Sequence, residues 1–526
     1  MFDAQLHASR YMHLDKTRYL EIELSSGHNL VESGDLQVRA ATAGLRLQTS
    51  EAIMAKGSFD ITTKKSEPGI VRFGRMAAGS HGKIRMPFSL EHEVNEVAVR
   101  VEISYKTQAG TFILAKLLNI SIMLPLGVNV QDVFKHRALF SKFTISSATT
   151  TPLRLLSTRL AGSDVFEASG GTMILPLVVF PRQPASMLYK IVRKPWAGRN
   201  SSSANLKSSL SLILNYVTLE EEVEMAIAQE LLHAFKDTPL QAYSRLILPT
   251  VIAQLRAHLN SYELERIAVL NEIQTSLLAS VDWRKQFSGL GQQDLKDIAS
   301  LLAEALESWQ KSKAVVKLIP IVVDEDTIGK SRSIIIPVDV PSVNIVHTAD
   351  LKLLETLALD SSTPMTALNQ PIPATLELKW TKRWDSESKI AKPPAQDLEF
   401  YYEVSAAADT WLIGGKRKGH FNIPADQALQ NSANVLTFPI VLIPLREGYL
   451  QFPDVEIKSV SRALGGQGVD SITNEVDYKN IGESVRCISD ARKTTVSLDA
   501  SGPQGGAWLL ETERRTGSSG VDVAVR

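Results

Sequence analysis

The chain holds 526 residues, with 57 Lys plus Arg against 57 Asp plus Glu, so it carries no net charge; 44% of it is hydrophobic. That balance excludes a disordered chain and gives no bulk attraction to nucleic acid or anionic membrane, while the length predicts roughly three or four domains of ordinary size. Cys487 is the only cysteine, which excludes an internal disulfide and points to a reducing, cytosolic compartment.

Residues 1–20 carry Asp3, Arg10, Asp15, Lys16 and Arg18 without the apolar stretch of a signal peptide. The longest apolar run, Met173 to Phe180, is far below the roughly 20 residues a membrane span needs. A chain neither secreted nor integral to a membrane is expected.

From about residue 15 to Leu124 the pattern alternates. Leu20, Ile22 and Leu24 oppose Tyr19, Glu21 and Glu23; Val97, Val99, Val101 and Ile103 oppose Glu96, Ala98, Arg100 and Glu102. Period two over short runs punctuated by Gly27, Gly34, Gly57, Gly69 and Gly110 predicts a β-sandwich of about seven to nine strands over 15–125. After the joint Leu124-Pro125-Leu126-Gly127 a second sandwich is expected over 126–217. Its strands fall near Val128 to Val133, Ala138 to Ser146, Leu153 to Arg159, Met173 to Phe180 and Tyr189 to Arg193, with a polar loop from Gly198 to Lys207.

Over 218–313 the period changes. Thr218 followed by Glu221 makes a capping box for a helix carrying Val223, Ala226, Ile227, Ala228 and Leu231. A second helix carries Leu246, Ile252, Leu255 and Leu259; a third runs through Leu264, Ile267, Leu270, Ile273 and Leu277. A last runs from about Gln292 to Lys311, with Leu295, Ile298, Leu302, Leu306 and Trp309 on one face. Each stripe needs a partner surface to outweigh the entropy of ordering it, so a small bundle or hairpin inserted between β domains is expected.

Strand patterns resume at Val315 to Val323, Ser333 to Val338 and Val343 to His347, then at Leu376, Leu378 and Trp380, with Pro393-Pro394 at a turn, and complete a carboxy-terminal immunoglobulin-like sandwich over 314–460. Its clearest part is Leu398 to Ile457. Phe400, Tyr402 and Val404 alternate with Glu399, Tyr401 and Glu403. Trp411, Ile413, Gly414 and Gly415 lead through Lys416, Arg417, Lys418 and Gly419 into His420, Phe421 and Ile423, the pattern of a hairpin. Leu436, Phe438, Ile440 and Leu442 follow, and beyond Gly448 comes a run with Pro453 inside it, which predicts an edge or bulge. Gly465, Gly466 and Gly468 open a mostly flexible tail over 461–526, in which Val485, Cys487 and Thr495 to Leu498 can add a strand. The expected class is therefore mainly β, tandem immunoglobulin-like β-sandwich domains flanking a helical segment.

No constellation for chemistry stands out. Gly69 to Met76 has the glycine spacing of a phosphate loop but lacks the Lys and the Ser or Thr that reach phosphate and Mg²⁺. Asp324-Glu325-Asp326 lacks calcium-loop spacing and reads as a solvated turn. No catalytic residue, cofactor or metal is expected. Tyr189, Lys190, Arg193, Lys194, Trp196 and Arg199 read as a hairpin with snorkelling side chains or as a phosphate-contacting patch. Lys416, Arg417 and Lys418 are three adjacent cations on a glycine-flanked turn: a solvated tip, or a contact with a partner or an anionic lipid surface. Trp380, Trp384 and Trp411 fit packing, Trp411 also the flank of that contact.

The run Val128 to Lys135, the run Leu139 to Thr144, the run Pro341 to Leu351, and Trp411 with Gly414 to Phe421 resemble the carboxy-terminal half of the large TRAPP II subunit 10 family (Trs130-like, TMEM1-type), over most of residues 80 to 460. The resemblance implies a non-catalytic scaffold subunit of a vesicle-tethering complex, cytoplasmic and peripheral at the Golgi and early endosome. Its implied partners are other TRAPP subunits and, through the complex, a Rab-type GTPase whose nucleotide exchange belongs to the assembly; no nucleic acid and no cofactor are implied, and Golgi membrane contact is peripheral. The alternative is a free-standing β-sandwich adaptor that binds peptides or cargo by strand addition at an exposed edge, for which Pro453 makes the last strand unsuitable. A hydrolase with converging His and Ser residues ranks third.

Overall fold

The computed structural model describes the chain except residues 1, 15, 28, 58, 64–68, 93, 172–174, 195–207, 237, 288–292, 319–330, 355–362, 386–397, 425–434, 461–471, 490–493, 499–506 and 512–526. The polar loop 198–207, Trp196, Arg199, the acidic run 324–326, Pro393-Pro394 and the glycines 465, 466 and 468 lie outside the described residues.

Alternation in the first hundred residues does what it predicts. Val97, Val99, Val101 and Ile103 are buried, as are Leu20, Ile22 and Leu24, because successive side chains of a strand point to opposite faces. Two five-stranded sheets enclose them. One runs Asp3–Ala8, Arg18–Ser25, His81–Leu90 and Leu45–Leu47, with Ile53–Lys56 also on His81–Leu90; the other runs Gly110–Ser121, Glu96–Thr107, Val31–Ala40, Ile70–Phe73 and Ile61–Thr63. Between its first two strands the chain leaves this sandwich, and Tyr11–His13 pairs in parallel with Arg332–Val338 of the next one. A strand of the second sandwich is thus supplied from within the first.

The second sandwich sets the four-stranded sheet Leu126–Phe134, Leu139–Ser147, Ala185–Arg193, Phe166–Gly170 against Leu177–Val179, Leu153–Ala161, Leu210–Thr218, Arg332–Val338, Tyr11–His13. Leu210–Thr218 and Arg332–Val338 are neighbours in that sheet, in register from Leu210 opposite Val338 to Tyr216 opposite Arg332. The helices therefore sit inside the second sandwich, between two adjacent strands, where the sequence pattern alone placed them between domains.

Thr218 caps the first helix, Leu219–Ala234, its Oγ1 accepting from Glu221 N at 3.4 Å. Ser244–His258 follows, with Pro249 inside it. The third helix, Ser261–Leu270, is shorter than its apolar spacing predicts. Asn271 turns left-handed at φ 53° and its N–H donates to Ile267 O, so Ile273 falls in a three-residue strand, Glu272–Gln274, paired with Val315–Lys317. Asn tolerates that conformation better than most residues. Trp283–Phe287 and Gln293–Ser312 complete the unit around one core that includes Leu231, Leu255, Ile267, Leu302 and Trp309.

In the carboxy-terminal sandwich the sheet Trp411–Gly415, Leu436–Pro444, Ile372–Thr381, Ile345–Leu353, Asn474–Tyr478 faces two three-stranded sheets. These are Met365–Ala367, Ser484–Ile488, Gly448–Gln451 and Lys418–Ile423, Leu398–Ser405, Asp454–Ser459. Trp411–Gly415 and Lys418–Ile423 are not a hairpin: the first pairs with Leu436–Pro444, the second with Leu398–Ser405. The loop crosses from one sheet to the other. Pro453 likewise marks a crossing, since Gly448–Gln451 pairs with Ser484–Ile488 and Asp454–Ser459 with Leu398–Ser405. The sandwich also takes in Asn474–Tyr478 and Ser484–Ile488, so Val485 and Cys487 do add a strand; Thr494–Leu498 pairs with Ala507–Glu511.

Candidate interaction surface

The basic tip is built by the sheet crossing. Gly415 sits at φ 79°, and a Cβ there would meet Pro439 O at 2.9 Å, so the position demands glycine. Backbone bonds then fix the loop: Lys416 N donates to Pro439 O at 3.0 Å, Tyr402 Oη to Lys416 O at 2.9 Å and Val404 N to Arg417 O at 2.8 Å. Gly419 leaves room for the Tyr402 ring, which a Cβ would meet at 2.9 Å. With its carbonyls bonded inward, the loop turns the side chains of Lys416, Arg417 and Lys418 out, and all three are exposed.

The three cations are not equivalent. Lys418 Nζ lies 2.7 Å from Glu403 and holds that carboxyl below its ordinary range, while the pairing raises Lys418. Tyr401 Oη donates to the same carboxylate at 3.3 Å. Glu403 is one negative charge beside three positive ones, so Lys416 and Arg417 give the tip its surplus. The outer face beside it continues with His420 near Glu399 at 3.3 Å and Lys458 on Glu456 at 2.8 Å. Glu403 and Tyr402 are the supports that the loop's own sequence does not reveal, because they reach it through strand pairing.

Trp411 lies elsewhere. It is 4% exposed in the sandwich core, and its Nε1 donates to Gln451 O at 2.7 Å. It anchors the crossing from beneath and offers no contact surface.

Beside the strand Tyr11–His13 that ties the first sandwich to the second, two side-chain joints link the second sandwich to the helices and to the last sandwich among the described residues. Arg154 of the second sandwich donates from Nε to Glu222 of the first helix at 2.8 Å and from Nη2 to Asn271 Oδ1 at 3.1 Å. Its side chain and that of Glu222 are 5% and 2% exposed, and burial pushes the Glu222 carboxyl up. Arg332 and Glu221 add a half-exposed pair at 2.6 Å beside it. At the other joint, Trp384 sits in the core of the second sandwich, stacked on Phe166 at 6.2 Å and edge-on to Phe134 at 5.6 Å. Its Nε1 donates to Lys135 O at 3.3 Å, and Lys135 pairs with Asp477 at 2.5 Å. Tyr189 is buried in the same core, and Arg193 donates to the backbone oxygens of Arg383 and Asp385, so these two members of the basic and aromatic mixture are structural. Lys194 donates to Ser163 O at 2.7 Å, leaving Lys190 exposed.

A cleft between the first two sandwiches, lined by Arg10, His13, Tyr19, Tyr216 and Arg332 among others, encloses only about 40 Å³, room for one or two waters. Among the described residues no group of three His, Cys, Asp or Glu side chains gathers as metal ligands, and no helix is long and apolar enough to cross a membrane.

Residues 1–121 match the Domain of unknown function (DUF7077), residues 221–321 the TRS130-like four helical bundle domain, and residues 337–488 the TRAPPC10 C-terminal domain. The Trafficking protein particle complex II-specific subunit 130 of Saccharomyces cerevisiae is 21% identical over 416 residues, 76% of this chain and 34% of that protein. Its Arabidopsis thaliana homolog is 32% identical over 71 residues, 14% of this chain and 6% of that protein. The chain thus spans about a third of the yeast relative. A cohesin module from a Clostridium perfringens glycoside hydrolase, 14% identical and covering 23% of this chain and 96% of its own, superposes at a TM-score of 0.18, too low to carry an argument. The helical-bundle and carboxy-terminal matches fall on successive units of one chain and the yeast relative runs along most of it, so in these units the chain is similar to Trs130/TRAPPC10-like proteins.

Proposed function

We infer that the chain is a non-catalytic scaffold of a TRAPP II-type vesicle-tethering complex. The observation that carries this is the family match of the helical unit and the carboxy-terminal sandwich in one chain, supported by joints at Arg154–Glu222 and Trp384 that resist relative movement of those units. In this proposal the units meet near 125, 217, 313 and 460, with Arg332–Val338 given to the second sandwich and residues 474–488 to the last by their pairing. The chain holds other TRAPP subunits, works in the cytoplasm and peripherally at the Golgi, and supports exchange on a Rab-type GTPase that the assembled complex performs. Lys416 and Arg417 are its exposed contact for an acidic partner surface or anionic lipid.

The test is a pull-down of the tagged chain from its own cells, with mass spectrometry of what stays bound and a Rab nucleotide-exchange assay on the eluate. Recovery of small TRAPP subunits together with exchange activity is expected. A chain recovered without them overturns the proposal.

A further inference from the structure

The second sandwich is open along one edge. Leu126–Phe134 is the terminal strand of its sheet and among the described residues pairs only with Leu139–Ser147, while Asn474–Tyr478 of the last sandwich approaches it where Lys135 meets Asp477, beside Phe134. The inward positions of such a strand should be buried, and Leu126 and Phe134 at its ends are. Between them Val128 and Val130 are half-buried and Asp132 is exposed. Facing them, Tyr11–His13 covers Arg332–Val338 only as far as Ile335, so Ile336, Pro337 and Val338 continue past it. The gap between these two edges is a groove of about 220 Å³, walled by Val128, Val130, Ile336 and Val338, floored by Phe143 and rimmed by Asp132 and Asp339.

We propose that this groove takes an extended, apolar segment of a partner protein, flanked by lysine or arginine, which adds to Leu126–Phe134 as a fifth strand. Three features select that occupant. The outer side of the strand carries free main-chain donors and acceptors among the described residues, which an extended chain satisfies and a helix does not. The valine and isoleucine walls accept every second side chain of such a strand. The two exposed carboxylates at the rim favour cations at its ends, and they oppose a second copy of this chain, which would bring the same acidic rim to itself. The inference does not depend on the tethering role: it concerns how this sandwich binds, whatever assembly it serves.

The probe is the peptide Lys-Val-Thr-Val-Thr-Val-Thr-Val-Lys against the same peptide with glutamate at both ends, each titrated onto the full chain. Binding is followed by fluorescence polarisation and by hydrogen exchange. The lysine-ended peptide should bind about tenfold more tightly, as two charge contacts at a wet rim allow, and should slow exchange at residues 127–133. Asp132→Asn with Asp339→Lys, both at exposed positions, should abolish that preference and leave the melting temperature unchanged; the asparagine keeps an oxygen for the Ser141 hydroxyl. Absence of binding, equal affinity of the two peptides, or protection elsewhere would overturn the proposal. So would self-association in sedimentation that protects 127–133 without peptide, since the occupant would then be a second copy.

Discussion

His347 offers the sharpest test of the carboxy-terminal sandwich. It is 0% exposed, edge-on to Phe400 at 4.6 Å and Phe421 at 5.7 Å, and neither ring nitrogen has a hydrogen-bond partner among the described residues. Burial alone pushes its pKa down from 6.5 to about 3. A histidine depressed on folding is neutral in the folded chain and protonated in the unfolded one between those values. The stability it permits is present above pH 6.5 and is lost as pH falls toward about 3. From pH 7 to 4.5 that loss is about 2.5 kcal/mol, following a slope that approaches ~1.4 kcal/mol per pH unit. His347→Leu removes the titrating group and keeps an apolar side chain in place. Hydrogen exchange at Ile345–Leu353 and Leu398–Ser405 reads the opening of this sandwich apart from the others. The difference between substituted and original chain should grow by about 2.5 kcal/mol in favour of leucine between pH 7 and 4.5. Parallel profiles would refute the reasoning, because a ring that gains its proton without unfolding the strands is not in the environment described.

Arg154→Ala leaves Glu222 buried without its partner, so calorimetry should show a loss of roughly 3 to 5 kcal/mol, whereas Arg154→Met with Glu222→Met should come close to the original chain. Trp384→Ala should cost about 3 to 5 kcal/mol and raise the rate of limited proteolysis at the joint between the second and last sandwiches. Changing Lys416, Arg417 and Lys418 together to Glu should weaken binding to acidic liposomes or to a TRAPP subunit with almost no change in melting temperature; unaltered binding retires the tip as a contact. Gly415→Ala forces a side chain into a left-handed turn and should lower stability by about 1 to 3 kcal/mol in urea unfolding.

The sheets were legible where one face is buried along a whole strand: Glu96–Thr107 and Leu398–Ser405 alternate in sequence and in burial alike. What failed was inference from neighbours in sequence to neighbours in space. Two strands joined by Lys416 and Arg417 normally pair with each other, and only their neighbours in the two sheets, through Pro439 in one and Tyr402 in the other, decide that these do not. The third helix has apolar spacing through Leu277, but the left-handed Asn271, whose side chain meets Arg154 from another unit, ends it early. At the candidate site, exposure of the three cations was readable from their glycine-flanked turn. The partial neutralisation of Lys418 was not, since Glu403 becomes its neighbour only through cross-strand register.

The insertion of the helices between Leu210–Thr218 and Arg332–Val338 has a consequence during synthesis. The first of these strands leaves the ribosome with its partner edge open, and the strand that closes it emerges only after the whole helical unit, roughly 5 to 20 seconds later at ordinary elongation rates. Through that interval the nascent sheet exposes Leu212 and Leu214 beside an unpaired backbone, a template for wrong pairing. Closure also depends on the insert: once folded, it holds Thr218 and Arg332 close together through Glu221, replacing a costly long loop by a short one. The bundle is thus the clasp of a β-sheet, and slowing its folding should hold the newborn chain in its most aggregation-prone form.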